Sequence, residues 1–343
     1  MLDMIMALAL GAAQADAQAS DGYPGWVYEE THTIQTVDER DLIFYLDRPE
    51  AGETVPLLVL VDGSGCGGQL RGNWRSFYRP GPDRAQPYAL LKVEKPGVDP
   101  YTRTPSCTED FLRHYTIQNR VLDHMRVLQH LQAHADWWNG ELLVWGWSDG
   151  GDVAAQLVSY HPGVDRAVLG AMGGGYTMAE HFEDFWACPA QAMSEAERAG
   201  CLEALRTDFA EMEDNPTWRQ TWSGEDNSWR VWASRLRSRL THVLADRTQP
   251  FLIVQGAEDY DATPAQSARV LVEALEAEGN TAFEYWEIPC MTHGWGSLPR
   301  DQARALETGM LDWLLGQDIA EDGPPRFGQS EDVSCPGRDA ASE

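Results

Sequence analysis

A fold of the α/β class, with a mainly parallel sheet flanked by helices, is what this 343-residue sequence predicts. Three observations carry that reading. Apolar runs of strand length recur along the chain, and segments with apolar residues at helical spacing fall between them. Such alternation favours a parallel sheet joined by right-handed crossovers. In LLVWGWSDGGDVAAQLVSYH, residues 142–161, an apolar run meets a glycine-rich turn that opens directly into a helix-like segment. The hydrophobic content, 43%, supplies a sizeable core for one large domain with an insertion, or for two domains.

The elements follow in order. Residues 28–36 and 41–47 read as a β-hairpin joined at TVDER. PLLVLVD (56–62) is a buried strand running into GSGCGG, and YALLKVE (88–94) is another, ending at Lys95-Pro96-Gly97. Over 108–135, Ile117, Val121, Met125, Leu128 and Leu131 recur at helical spacing and predict one long helix. The 142–145 strand, its helix and a strand at 165–171 come next. Between 177 and 245 the chain is rich in Trp, Asp, Glu and Arg, is helical in period and has no strand run, which predicts a helical cap. The sheet resumes at PFLIVQG (250–256), followed by a helix at 264–278, the strand AFEYWEIP (282–289) and a last helix at 299–316. The expected organisation is a signal peptide over 1–19, a first core part over 20–176, the cap over 177–245, a second core part over 246–320 and an acidic tail over 321–343.

The signal-peptide reading rests on the apolar stretch 4–13 and on the small-x-small sites Ala15-Asp16-Ala17 and Ala17-Gln18-Ala19. It lacks a basic n-region, and Asp3 has the wrong sign, as a start codon placed too far downstream would produce. The stretch is too short to span a bilayer, so no stable membrane anchor is expected. Six cysteines, all beyond the cleavage sites, favour a periplasmic or secreted protein over the alternative of a cytoplasmic one with reduced thiols. No C-x-x-C pair is present, which argues against zinc. The favoured pairings are Cys66 with Cys107, Cys188 with Cys201 and Cys290 with Cys335, although spacing alone does not determine connectivity. Net charge is −28, with two lysines, Lys92 and Lys95; such a chain does not bind nucleic acid or an anionic membrane non-specifically. Composition leaves the oligomeric state open.

The chemistry-bearing motifs sit where strands end. Gly146-Trp147-Ser148-Asp149-Gly150 places a serine at the apex of a strand-to-helix turn, the context of a nucleophile elbow. Gly256-Ala257-Glu258-Asp259-Tyr260-Asp261 follows a later strand, and Cys290-Met291-Thr292-His293-Gly294 follows the last. An acyl-transfer enzyme needs a base to take the serine proton and a carboxylate to orient that base. The order Ser, Asp, His is the one found in α/β-hydrolases.

With those residues the chain resembles an α/β-hydrolase from about residue 40 to 316, and GWSDGG is similar to the elbow of the prolyl-oligopeptidase-like and dienelactone-hydrolase-like branch. GAEDYDATPAQSARVLVEAL is similar to the acid loop and helix of that branch, and THGWG to its histidine loop. The resemblance implies Ser148 as nucleophile, His293 as base and Asp259 as acid, with Asp261 the alternative and Glu258 third. It implies an oxyanion hole from the N–H of Asp149 and one from Ser64 or Gly65, where family members often carry His-Gly-x and this chain has Asp62-Gly63. It departs from prolyl oligopeptidases in leaving no room for a propeller domain. The implied reaction is hydrolysis of a small ester, without metal or organic cofactor. A prolyl-oligopeptidase-like serine peptidase acting on a short peptide, a serine acyltransferase and a non-catalytic binding protein are the alternatives.

Three competing signals are weaker. His130 and His134 have a metal-like spacing but lack a third ligand. Asp259-Tyr-Asp261-Ala-Thr263 resembles an aspartyl phosphotransferase signature, but both lysines lie upstream of it. The cap tryptophans suit either a substrate pocket or a cap core. Asp149, beside the nucleophile, suggests a preference for amine-bearing substrates.

Overall fold

The computed structural model describes residues 23–70, 86–102, 107–223, 227–260, 262–317 and 335. The expected signal peptide, nearly all of the expected acidic tail and Asp261 lie outside the described residues.

Eight strands form one sheet in the order β1-β2-β4-β3-β5-β6-β7-β8. They are β1 (Trp26–Gln35), β2 (Asp41–Pro49), β3 (Val55–Val61), β4 (Ala89–Val93), β5 (Trp138–Trp147), β6 (Val164–Gly170), β7 (Phe251–Gly256) and β8 (Phe283–Ile288). The first hairpin and the β2–β4 pair are antiparallel, and every other pair is parallel. Every residue of β3 is buried, as a central strand covered on both faces requires. One face packs on Val121 and Leu128, on Ala154 and Leu157, and on Leu271. The other packs on Leu306, Met310 and Leu314 of the last helix.

The single helix expected over 108–135 is two, α1 (Glu109–His114) and α2 (Ile117–His134). Thr116 adopts extended backbone, and its hydroxyl accepts from the Asn119 N–H at 3.1 Å, capping α2. Tyr115 turns inward and is fully buried, with its hydroxyl on Asp149. That long-range contact is invisible to periodicity. The following helix, α3 (Asp149–Tyr160), starts immediately after Ser148.

The β6–β7 connection is helical. It contains α4 (Met178–His181), a π-helical turn (Phe182–Trp186), α5 (Glu195–Asp214), α6 (Trp229–Ala233) and α7 (Leu240–Leu244). It has a core of its own, in which Phe182 meets Trp222 and Trp232 edge-on at 5.0 Å each. Those two tryptophans therefore serve packing in this segment. Helices α8 (Ala265–Ala277) and α9 (Arg300–Leu314) complete the chain. Disulfides join Cys66 to Cys107, Cys188 to Cys201 and Cys290 to Cys335, leaving none of the six cysteines free. Among the described residues no helix is long and apolar enough to cross a membrane.

Candidate active site

Ser148 has φ +57° and ψ −128°, a left-handed conformation that costs a side-chain-bearing residue roughly 1–3 kcal/mol. The surroundings hold it there. Its N–H donates to the Gly170 carbonyl at 2.8 Å, and its carbonyl accepts from the Gly151 N–H at 2.8 Å. The turn closes so tightly that a Cβ on Gly146 would stand 2.0 Å from the Gly150 oxygen. A Cβ on Gly150 would stand 2.2 Å from the Val61 oxygen. The glycines of the motif are thus demanded by backbone contact, and the serine projects from the C-terminal edge of the sheet.

Two more strand ends deliver the partners. His293 Nε2 lies 2.9 Å from Ser148 Oγ, and His293 Nδ1 lies 2.8 Å from Asp259 Oδ2. Asp259 is buried, whereas the His293 side chain is 36% exposed. Burial pushes the Asp259 carboxyl up, but hydrogen bonds from His293 and Thr263 outweigh it and hold the group below its ordinary value. The Thr263 N–H donates to Asp259 Oδ1 at 3.2 Å, the Thr263 hydroxyl lies 2.8 Å from Oδ2, and Gln255 Nε2 lies 3.3 Å from Oδ2. Every neighbour of the carboxylate can donate, so the site is built for an acceptor. The histidine loop is fixed from outside by the Trp147 indole N–H, which donates to the His293 carbonyl at 2.9 Å.

The loop after β3 runs alongside the elbow: a Cβ on Gly63 would stand 3.5 Å from Ser148 Cβ. Lys95 Nζ, buried, donates to Asp62 Oδ2 at 2.9 Å and to the Gly65 carbonyl at 2.8 Å. Arg120 Nη2 donates to the Asp62 carbonyl at 2.5 Å. The disulfide from Cys66 to Cys107 ties the same loop to the segment entering α1.

Asp149 is the hub of a buried ionic cluster. Arg120 Nη1 lies 2.6 Å from its Oδ2, Arg235 Nη1 lies 2.7 Å from its Oδ1, and the Tyr115 hydroxyl donates to Oδ2 at 2.6 Å. Burial raises the Asp149 carboxyl, but the Arg235 and Arg120 guanidiniums outweigh it and hold the group below its ordinary value. The expectation that this carboxylate favours amine-bearing substrates is therefore corrected, because its charge is already met by two arginines. Asp152, one turn further along α3, lines a small cavity with Arg235, His181 and Thr263. Burial, reinforced by the charge of Asp149, pushes its carboxyl up to about 7.

The structure thus brings Ser148, Asp259 and His293 into one hydrogen-bonded line, with the Asp149 end of the elbow and the Gly63–Gly65 loop beside it. Glu258 accepts from the Tyr260 hydroxyl. His130 and His134 stack at 4.4 Å on α2, and no group of three or more His, Cys, Asp or Glu among the described residues could hold a metal ion. Sequence reasoning missed Thr263, Gln255, Tyr115, Arg120 and Arg235. It noticed Lys95 only as a rarity, and the signal available was that a chain so rich in arginine keeps just two lysines, both of which the fold buries.

Comparison with known proteins bears on the fold and the family. Residues 164–317 match the model of the prolyl oligopeptidase family. No curated protein matches the sequence. Among solved structures, a candidate dipeptidyl aminopeptidase IV from Bacteroides ovatus superposes over 87% of this chain with a TM-score of 0.59 at 15% identity. An acylaminoacyl peptidase from Pyrococcus horikoshii does so over 87% with a TM-score of 0.56 at 14% identity. This chain spans only 37% and 42% of those two proteins. A hydrolase from Pseudomonas aeruginosa superposes over 84% of this chain and 98% of its own length, with a TM-score of 0.51 at 18% identity. The chain has the α/β-hydrolase fold, and the family match supports a serine hydrolase.

Proposed function

We propose that the chain hydrolyses a carboxylic ester of a small molecule through an acyl-enzyme on Ser148. The observation that carries this reading is the line Asp259 Oδ2, His293 Nδ1, His293 Nε2, Ser148 Oγ, with contacts of 2.8 and 2.9 Å and the serine held at φ +57°. In this reading Ser148 Oγ attacks the acyl carbon while His293 Nε2 takes its proton. Asp259 keeps the Nδ1–H of His293 pointed inward and stabilises the imidazolium. The tetrahedral oxyanion lies against the N–H of Asp149 and that of Ser64 or Gly65. Collapse expels the alkoxide, which receives the proton from His293. Water then repeats the sequence and frees the acid. These steps use side chains and backbone of the chain alone.

An ester asks less of such a site than an amide, since an alkoxide is a better leaving group than an amide anion and the ester carbonyl is less stabilised by resonance. Peptide hydrolysis is the second reading, and the family match over residues 164–317 favours it. The β6–β7 connection serves as a cap over the site in both readings, and the three disulfides support an exported, periplasmic or secreted protein. The test is a matched panel of p-nitrophenyl esters and peptidyl p-nitroanilides with wild type and S148A. Wild-type turnover of esters well above that of anilides, absent in S148A, supports the ester reading. Preference for the anilides moves the assignment to a peptidase, and turnover that survives S148A overturns both.

A further inference from the structure

We infer that Arg120 is a positioning residue for the oxyanion hole, holding the elbow and the facing loop in one register, with Arg235 extending the clamp to the β6–β7 connection. The inference rests on the reading of Ser148 as nucleophile and deepens it.

The two expected oxyanion donors come from segments far apart in sequence, the start of α3 and the loop after β3. Arg120 touches both. Its Nη1 is on the Asp149 carboxylate at 2.6 Å, and its Nη2 is on the Asp62 carbonyl at 2.5 Å. A planar guanidinium fixes the spacing of the two groups it bridges, which a flexible ammonium does not. The backbones are already in contact behind it, since a Cβ on Gly150 would stand 2.6 Å from the Asp62 oxygen. The loop amides are oriented by the same device. In a trans peptide the carbonyl of one residue and the N–H of the next point in opposite directions. Arg120 draws the Asp62 carbonyl and Lys95 draws the Ser64 carbonyl at 3.5 Å, so the N–H groups of Gly63 and Gly65 that follow them are turned away from those cations.

Charge supports the same assignment. A bare carboxylate at Asp149 would stand beside the place where negative charge develops and would oppose it. Two guanidiniums against one carboxylate reverse that local charge from −1 to +1. Stability alone is a weak reason for such a cluster, because buried ion pairs are often no better for folding than apolar packing. Arg235 comes from the segment after α6, so the clamp also registers the helical connection against the nucleophile.

The test uses the full-length protein with R120K and R120Q. Sites are counted by fluorophosphonate labelling to completion, so that loss of folded protein is separated from loss of rate. For each variant, kcat and KM on p-nitrophenyl acetate are measured per labelled site, with the inhibition constant of phenylboronic acid, whose serine adduct mimics the tetrahedral intermediate. We expect kcat per site to fall about 100-fold in R120Q and about 10-fold in R120K, with boronate affinity falling in proportion and KM within about threefold. Unchanged kcat per site and unchanged boronate affinity, with only fewer sites or a lower Tm, would overturn the inference. If R120Q does not fold, R120K at wild-type kcat and wild-type boronate affinity overturns it as well. Failure of the underlying reading shows separately, as wild-type protein that neither labels nor turns over ester, and it takes this inference with it.

Discussion

Replacing Asp259 by Asn removes one charge and creates one conflict, and both can be sized. The carboxylate sits among donors only: His293 Nδ1–H and Gln255 Nε2 on Oδ2, and the Thr263 N–H on Oδ1. An amide turned one way sets its NH2 against the Thr263 N–H. Turned the other way it donates to His293 Nδ1, which forces the proton onto Nε2 and leaves the ring unable to accept from Ser148. The lost attraction between carboxylate and imidazolium, with charge centres about 4 Å apart, is about 4 kcal/mol at an effective dielectric of 20. That alone is about a 10³-fold slower step, and the tautomer conflict extends it toward about 10⁴. D259N should therefore lose about 10³- to 10⁴-fold in kcat on p-nitrophenyl acetate with KM within a few-fold. D261N should stay within about threefold of wild type in both, and equal Tm values would show that all three proteins are folded. D259N retaining a tenth of wild-type kcat, or D261N proving the crippled variant, would refute the assignment of the acid.

Three further outcomes follow from the same contacts. In G146A the new Cβ would stand 2.0 Å from the Gly150 oxygen and 2.7 Å from Ala154 Cβ. Backbone cannot yield as a side chain does, so urea melts should show a loss of at least about 3 kcal/mol. C188S/C201S, tested in the same melts, should lose about 3 kcal/mol, the loop-closure value for a bridge of sequence separation 13. Asp152 and Glu307 should each lower stability as pH rises from about 4 to 8, while buried His124, pushed down from 6.5 to about 4, acts the other way below about 6.5. Burial raises Asp152 from 3.8 to about 7 and Glu307 from 4.5 to about 8, so the folded state holds protons that the unfolded chain releases across that window. Measured from pH 4.5 to 8.5, the Tm of D152N/E307Q should rise relative to that of wild type as pH increases, and parallel curves would contradict the origin assigned to the difference.

Much of the framework was legible because its signals are local. The parallel strands each carry a short apolar run, and Ser148, Asp259 and His293 each follow one, so a parallel sheet brings them to one edge. The elbow glycines were legible because backbone contact admits nothing larger. What escaped was long-range. The break at Tyr115–Thr116 is set by a hydroxyl reaching Asp149, 34 residues on, and periodicity sees only the helix on either side. Arg120 and Arg235 are two among many arginines in the sequence, and only the fold shows that both meet Asp149. Thr263 stood out in the sequence only as the last residue of a phosphotransferase-like signature, and only the fold puts its N–H and hydroxyl on the Asp259 carboxylate.

The central claim is that Ser148 is an activated nucleophile. Its most direct test is labelling of the native protein with a fluorophosphonate probe, followed by peptide mass mapping, with S148A as control. Such a probe reacts with a serine that has its base and oxyanion hole in place, whatever the natural substrate. The account predicts a single adduct on the peptide carrying Ser148, formed within minutes and absent from S148A. A folded wild-type protein that takes no label, or takes it on another residue, would contradict it.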